Sequence, residues 1–193
     1  MKIRIFLGMP VLLWMLMAAG TTAAQTNDFR SMTWGMSASA VKAAETCKII
    51  SEEVKHIICD CPLADDEAKV IYTFTSSDKL MRAKYLVTAD YSNVLFFIRD
   101  YKMLQDLLTQ KYGAAVAISP RAISSQSIKE EEWASFLSAG ELFVEAKWMT
   151  AKTEILLTLS KSGAVPSIQI DYISKEFSKL DLQEKSAKTL KDL

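Results

Sequence analysis

Twice along this chain, three short segments in succession alternate apolar and polar residues with a period of two, and one long segment of helical period separates the two groups. A period of two buries one face of a strand and wets the other, which is the pattern of an antiparallel sheet rather than of a parallel sheet covered on both sides. In the first group, Ile57, Cys59, Cys61 and Leu63 share a face, then Val70, Tyr72 and Phe74, then Met81, Ala83, Tyr85 and Val87 with Arg82 and Lys84 opposite. The second group has Leu142, Val144, Ala146 and Trp148, then Thr153, Ile155, Leu157 and Leu159, then Ile168, Ile170 and Tyr172. Turn-forming breaks lie between them: Pro62-Leu63-Ala64-Asp65-Asp66, Ser76-Ser77-Asp78-Lys79, Thr150-Ala151-Lys152 and Ser160-Lys161-Ser162-Gly163.

The helical segments complete the order. Ser37 or Ser39 caps a short helix over 38–45 with Val41 and Ala44 inward, Gly35 eases the chain reversal before it, and Trp34 reads as a plug closing that helix against a sheet. The long helix runs from about Ser92 to Tyr112, with Leu95, Ile98, Tyr101, Leu104 and Leu108 at helical spacing and Gly113 as its C-cap. Residues 114–127 read as an exposed connection, and Lys129–Leu137 fits either a short helix or an irregular strand. From Lys175 a polar, Lys-rich helix follows, with Phe177, Leu180 and Leu190 as its apolar contacts and a fraying end. The expected fold is therefore α+β: two helix-plus-three-strand units making antiparallel sheet with helices on one face, then a polar C-terminal helix. One two-lobed domain spans 25–174, with lobes at about 29–90 and 91–174, and a helix or tail fills 175–193.

The amino terminus carries a different message. Lys2 and Arg4 precede an uncharged run from Ile5 to Ala19, and Gly20-Thr21-Thr22-Ala23-Ala24-Gln25 supplies small residues, with Thr22 and Ala24 placed for cleavage before Gln25. Cations, an apolar core of about fifteen residues and a small-residue site are the parts of a secretory signal, and that core falls short of the roughly twenty residues a membrane span needs. The expectation is a signal peptide at 1–24, a periplasmic or secreted product, and no stable membrane span after cleavage. Without Lys2 and Arg4, the 23 basic residues become 21 against 23 acidic, dispersed and without a basic run. That balance argues against nucleic acid as a partner.

Chemistry is sparse. His56 is the only histidine, so neither a catalytic triad nor a multi-histidine zinc site is spelled out, and the six glycines form no phosphate-cradling loop. Asp65-Asp66-Glu67 and Glu130-Glu131-Glu132 lack the alternating ligand spacing of a calcium loop and read as solvated turns. No catalytic residue and no cofactor site is expected. Cys47, Cys59 and Cys61 all fall in the first lobe. In an oxidising compartment one disulfide would join Cys47 to Cys59 or Cys61, leaving one thiol, while a Cys59–Cys61 bridge would be strained. The sharper alternative is redox or metal work by the three cysteines with His56. Aromatic residues Trp133, Phe136, Phe143 and Trp148 cluster in the second lobe, and Trp133, Phe143 and Trp148 would make a binding face if exposed.

The opening Phe29-Arg30-x-x-x-Trp34-Gly35-x-Ser37-x-x-x-Val41 resembles the start of a group of uncharacterised bacterial exported proteins. Further similar pieces are Tyr72-Thr73-Phe74, Lys79-Leu80, Ala83-Lys84-Tyr85, Lys111-Tyr112-Gly113, Trp148-x-x-x-x-Thr153-x-Ile155 and Ile170-Asp171-Tyr172, with Ser31 where the group has Gly. The helix-then-strands unit is also similar to the small periplasmic assembly-factor and β-lactamase-inhibitor type of fold, whose members bind proteins. The resemblance implies a non-enzymatic exported binding or envelope-associated module, acting on another envelope protein or a small ligand through a sheet face or the inter-lobe groove. The competing expectation is a periplasmic thiol-redox or metal-handling protein using Cys47, Cys59 and Cys61.

Overall fold

The computed structural model describes residues 27–64, 66–122, 127–161 and 163–192. The segment expected to be a signal peptide, with its Ala24–Gln25 junction, lies outside the described residues, as do Asp65, residues 123–126, Ser162 and Leu193.

The described chain runs α1 (Ala38–Ala44), β1 (Lys48–Glu53), β2 (His56–Asp60), β3 (Ala68–Phe74), β4 (Leu80–Val87), α2 (Val94–Tyr112), β5 (Ala117–Ala122), a 3-10 turn (Glu130–Glu132), α3 (Trp133–Ala139), β6 (Leu142–Met149), β7 (Thr153–Lys161), β8 (Pro166–Ser174) and α4 (Lys175–Asp192). All eight strands belong to one antiparallel sheet in the order β1-β2-β3-β4-β8-β7-β6-β5. The fold is α+β. Each unit is a helix followed by a four-stranded meander, and the last strands of the two meanders pair with each other, from Arg82↔Ile173 to Val87↔Ile168. Two like units joined through their last strands place a pseudo-two-fold relation at the β4–β8 seam.

Each unit thus carries one strand more than alternation reveals, and both additions are sheet edges. β1 was hidden because it is largely wet on both faces and turns into β2 through Val54-Lys55, a pair without Gly, Asn or Asp. An irregularity between Ile49 and Ser51 further breaks its alternation. β5 replaces the connection expected at 114–127. Pro120 lies within it, and a proline is tolerated there because β5 is an edge strand paired only with β6. The undecided 129–137 stretch is helical: Glu132 accepts from the Lys129 N–H at 2.9 Å, and α3 ends at Gly140 with φ +79°.

The core lies on one face of the sheet. Rows of side chains cross it from lobe to lobe: Cys59, Val70, Tyr85, Ile170, Leu157 and Ala146 form one, and Ile57, Tyr72, Ala83, Tyr172, Ile155 and Trp148 the next. α2 covers the second unit with Phe97, Ile98, Tyr101, Leu104 and Leu108. Leu95, expected inward, is 54% exposed, because the helix starts at Val94 and turns Phe97 to the core instead. In β4, a bulge at Met81 puts Leu80 opposite Phe74 and Arg82 opposite Thr73, so Leu80 rather than Met81 joins the buried row. α4 crosses to the other face, where Ser178, Asp181 and Leu182 share a depression with Arg82 and Ile173. Leu190 is exposed, and the buried residue of α4 is Asp181, paired with Lys185 at 2.6 Å.

The segment before α1 is stitched to both units. Gly35 N–H donates to Leu80 O at 2.9 Å, Leu80 N–H to Met36 O at 2.8 Å, and the Trp34 indole N–H to Thr153 Oγ1 at 2.9 Å. Trp34 is only partly buried, and its indole reaches a strand of the second unit. Gly35 has φ +85°, and a Cβ there would stand 2.5 Å from the Phe177 ring of α4. Positive φ and steric overlap each cost a non-glycine residue. Gly35→Ala should therefore destabilise the protein by about 2–4 kcal/mol in urea denaturation. The same substitution in a Phe177→Ala background should lose the steric part and cost about 1–2 kcal/mol. Equal costs in both backgrounds would rule out the ring contact.

Candidate functional site

Cys47 and Cys61 form a disulfide with Cα atoms 5.4 Å apart, and Cys59 is the free cysteine. Sheet register decides between the two candidates. Cys59 sits inside the ladder, opposite Ile49 on β1 and Val70 on β3, whereas Cys61 lies just past β2 at the margin where the chain leaving α1 passes. Closing a loop of this length contributes about 3 kcal/mol by the chain-entropy estimate.

Over the disulfide lies Arg30. Its backbone is left-handed (φ 51°) in the tight turn from Phe29 to Met32, which aims the side chain back toward the sheet. Nη1 donates to Cys61 Sγ (3.1 Å) and Tyr85 Oη (3.3 Å), and Nη2 to Glu45 Oε1 (3.2 Å) and Cys47 Sγ (3.2 Å). Glu45, whose side chain is 1% exposed, also accepts from the backbone N–H groups of Thr46 and Cys47 and from the Tyr72 hydroxyl. Burial pushes its carboxyl up. The Tyr72 and Cys47 hydrogen bonds, the Arg30 charge and the Thr46 amide outweigh that and hold it below the usual carboxylate range. The Tyr72 phenol is raised by burial and by Glu45, so it remains a donor.

These groups do not make a reactive thiol site. Burial, with Glu45 and Asp60 adding to it, pushes the Cys59 thiol up to about 11, which leaves little thiolate at neutral pH. Glu45, Cys47 and Cys61 bring potential ligand atoms within 4.8 Å of one another, but both sulfurs are spent in the disulfide and Arg30 donates to each. A cation-binding cluster needs thiolates there, not a guanidinium.

A cleft of about 450 Å³ opens beside this cluster, between the two units. The Asn27–Arg30 segment forms one wall, Lys111 and Tyr112 at the end of α2 the second, and the β6–β7 turn from Thr150 to Thr153 the third. Tyr85, Ile155 and Tyr172 floor it. The aromatic packing is centred on Phe29, whose ring centroid lies 5.9 Å from Tyr72, 5.3 Å from Tyr85 and 4.9 Å from Tyr172. Asp28 is committed to the Trp34 backbone N–H at 2.9 Å and reaches Lys152 only at 3.8 Å. The Gly113 carbonyl at the end of α2 accepts from the Trp148 indole at 3.0 Å.

The residues singled out from sequence fall elsewhere. Trp133 (5% exposed) and Trp148 (1%) are core, and half-buried Phe143 lies on the opposite sheet face under the Arg121 guanidinium, 4.4 Å from its ring centroid. The three do not form one exposed face, because the strand period sends Phe143 outward where it sends Trp148 inward. His56 pairs across strands with Thr73 Oγ1 at 3.2 Å, away from the cysteines' disulfide. Asp66 accepts from the Tyr91 hydroxyl at 2.8 Å, and Glu130 pairs with Lys102. Sequence reasoning missed Arg30, Glu45, Tyr112, Lys111 and Lys152, which become neighbours only through folding. The available signals were the Phe29-Arg30 pair in the opening motif and the Lys111-Tyr112-Gly113 piece.

No protein-family model matches this chain, and neither does any curated protein or any solved structure.

Because the Glu45 carboxyl is held low in the folded state, its contribution to stability is complete above the ordinary carboxylate range and is lost as pH falls below that range through the lowered folded value. Glu45→Gln should cost about 1–3 kcal/mol at neutral pH and flatten the acid side of the stability profile. An unchanged acid limb would show that Glu45 is not the group responsible. In the folded, unreduced protein, Cys59 should resist thiol-reactive reagents and react once on unfolding. Rapid labelling of the native state at neutral pH would reopen the thiol-redox reading.

Proposed function

We propose that this chain is an exported, non-enzymatic binding protein that holds a small molecule in the cleft between its two units. The observation that carries this reading is the cleft itself. Its volume of about 450 Å³ is in the range of small-molecule sites, and an aromatic floor with a few convergent polar groups is the usual make-up of such sites. A binding role rather than turnover is supported by the lining. Among the described residues it offers no histidine or cysteine, and its tyrosines and threonines have no paired base to activate them. Export to the periplasm is supported by the sequence of residues 1–24 and by the Cys47–Cys61 disulfide, which suits an oxidising compartment. The resemblance of the Phe29–Val41 opening to exported bacterial proteins points the same way.

Two measurements test the proposal. Intact mass of protein recovered from the periplasmic fraction should correspond to a chain starting at Gln25 with one free thiol, and recovery only of the Met1 form from the cell interior would overturn export. Ala151 is exposed at the mouth of the cleft, so Ala151→Trp should fill it without touching the core. In a thermal-shift screen of small molecules, compounds that stabilise the wild type should lose that effect on Ala151→Trp. Equal stabilisation of both proteins would mean that binding, if any, lies outside the cleft.

A further inference from the structure

The charges around the cleft are unequal in their commitments. Arg30 is paired with Glu45, while Asp28 accepts from the Trp34 N–H through Oδ2 and keeps its charge, with Oδ1 3.8 Å from the Lys152 ammonium. Lys111, by contrast, has no carboxylate within 4 Å among the described residues and lies 5.1 Å from the Tyr112 ring. Lys152 is two-thirds exposed and holds only the long contact to Asp28. Two ammonium groups from different elements, one ending α2 and one on the β6–β7 turn, therefore border the same opening and share one carboxylate, Asp28, which lies near Lys152.

Between them the floor is aromatic, and the Tyr85 hydroxyl in it accepts from Arg30 Nη1 at 3.3 Å. The Tyr172 phenol is raised by burial first and by neighbouring Tyr112 and Tyr85, so it stays protonated at neutral pH. Tyr112 packs against it edge-on, with ring centroids 6.4 Å apart. A lysine pair at the rim selects negative charge, and the ring edges of Tyr85 and Tyr172 that reach the cleft over buried Phe29 and Ile155 favour an apolar body over a fully hydrated ion.

Resting on the cleft reading, we infer that the ligand is an organic anion: a carboxylate bound by Lys111 and Lys152, with its planar apolar body laid on the Tyr85–Tyr172 floor. The lining sets two ammonium groups beside a ring surface, an arrangement that suits a carboxylate on an apolar body better than a fully hydrated phosphate.

The probe is 3-phenylpropionate, compared with its neutral isostere 3-phenylpropionamide and with inorganic phosphate, by two-dimensional amide NMR titration of the purified protein. The carboxylate should give saturable shifts at Lys111, Tyr112 and Lys152. The amide and phosphate should bind at least tenfold more weakly, and K111M/K152M should weaken the carboxylate at least tenfold while its melting temperature stays near wild type. Equal affinity for acid and amide would overturn the charge inference while leaving the cleft as a site. Phosphate binding as tightly as the acid would overturn the apolar-body inference. No carboxylate shifts at the cleft would overturn the inference as a whole, with the Ala151→Trp screen deciding separately whether the cleft binds anything.

Discussion

The pairing of β4 with β8 is the constraint on which the rest of the structure depends. Six residue pairs, from Arg82↔Ile173 to Val87↔Ile168, fuse two four-stranded meanders into one sheet. Because side chains alternate, the register that sets Tyr85 opposite Ile170 and Ala83 opposite Tyr172 fixes which residues of each unit face the shared core. A slip by one residue would send Tyr85 and Tyr172 to the opposite face and put Lys84 and Asp171 inside. That opposite face has its own check on register. Arg82 and Asp171 lie within 2.7 Å across the seam, and Lys84 donates to Gln169 at 2.8 Å.

On the core face, the seam is locked by the segment before α1. Phe29 inserts its ring among Tyr72 and Tyr85 of the first unit and Tyr172 of the second, so one side chain packs on both meanders. The left-handed turn at Arg30 follows, and the guanidinium it delivers ties the disulfide, Glu45 and Tyr85 together. Strain at Arg30 is thus offset by charge-assisted hydrogen bonds in a partly buried setting. The same segment supplies one wall of the cleft, so the device that joins the units also leaves the space between them.

The disulfide belongs to this structural logic. It fastens the exit of α1 to the margin of β2 and gives Arg30 two sulfur acceptors, while Cys59, inside the ladder and beside Glu45, is kept protonated. Three cysteines in a short stretch of sequence invite a redox or metal reading. Their placement divides them instead into a structural pair and a core residue that behaves as a small apolar side chain.

What the sequence determined by itself was local. Strict alternation at Val70–Phe74, Leu142–Trp148 and Thr153–Leu159 marked strands, because period two needs only that one sheet face be buried. The α2 run and Gly113 marked a long helix and its end for an equally local reason. β1 and β5 escaped because edge strands are wet on both sides, and exposure erases the alternation that reveals them. Which cysteine pairs with Cys47, and the meeting of Arg30, Lys111, Tyr112, Lys152 and Tyr172 around one opening, were decided only by tertiary structure. Those residues lie far apart along the chain, and no periodicity reports that β4 pairs with β8 or that Phe29 folds onto the seam. Contacts of that kind are chosen by the register of the whole sheet and by the packing of its core, which no single segment contains.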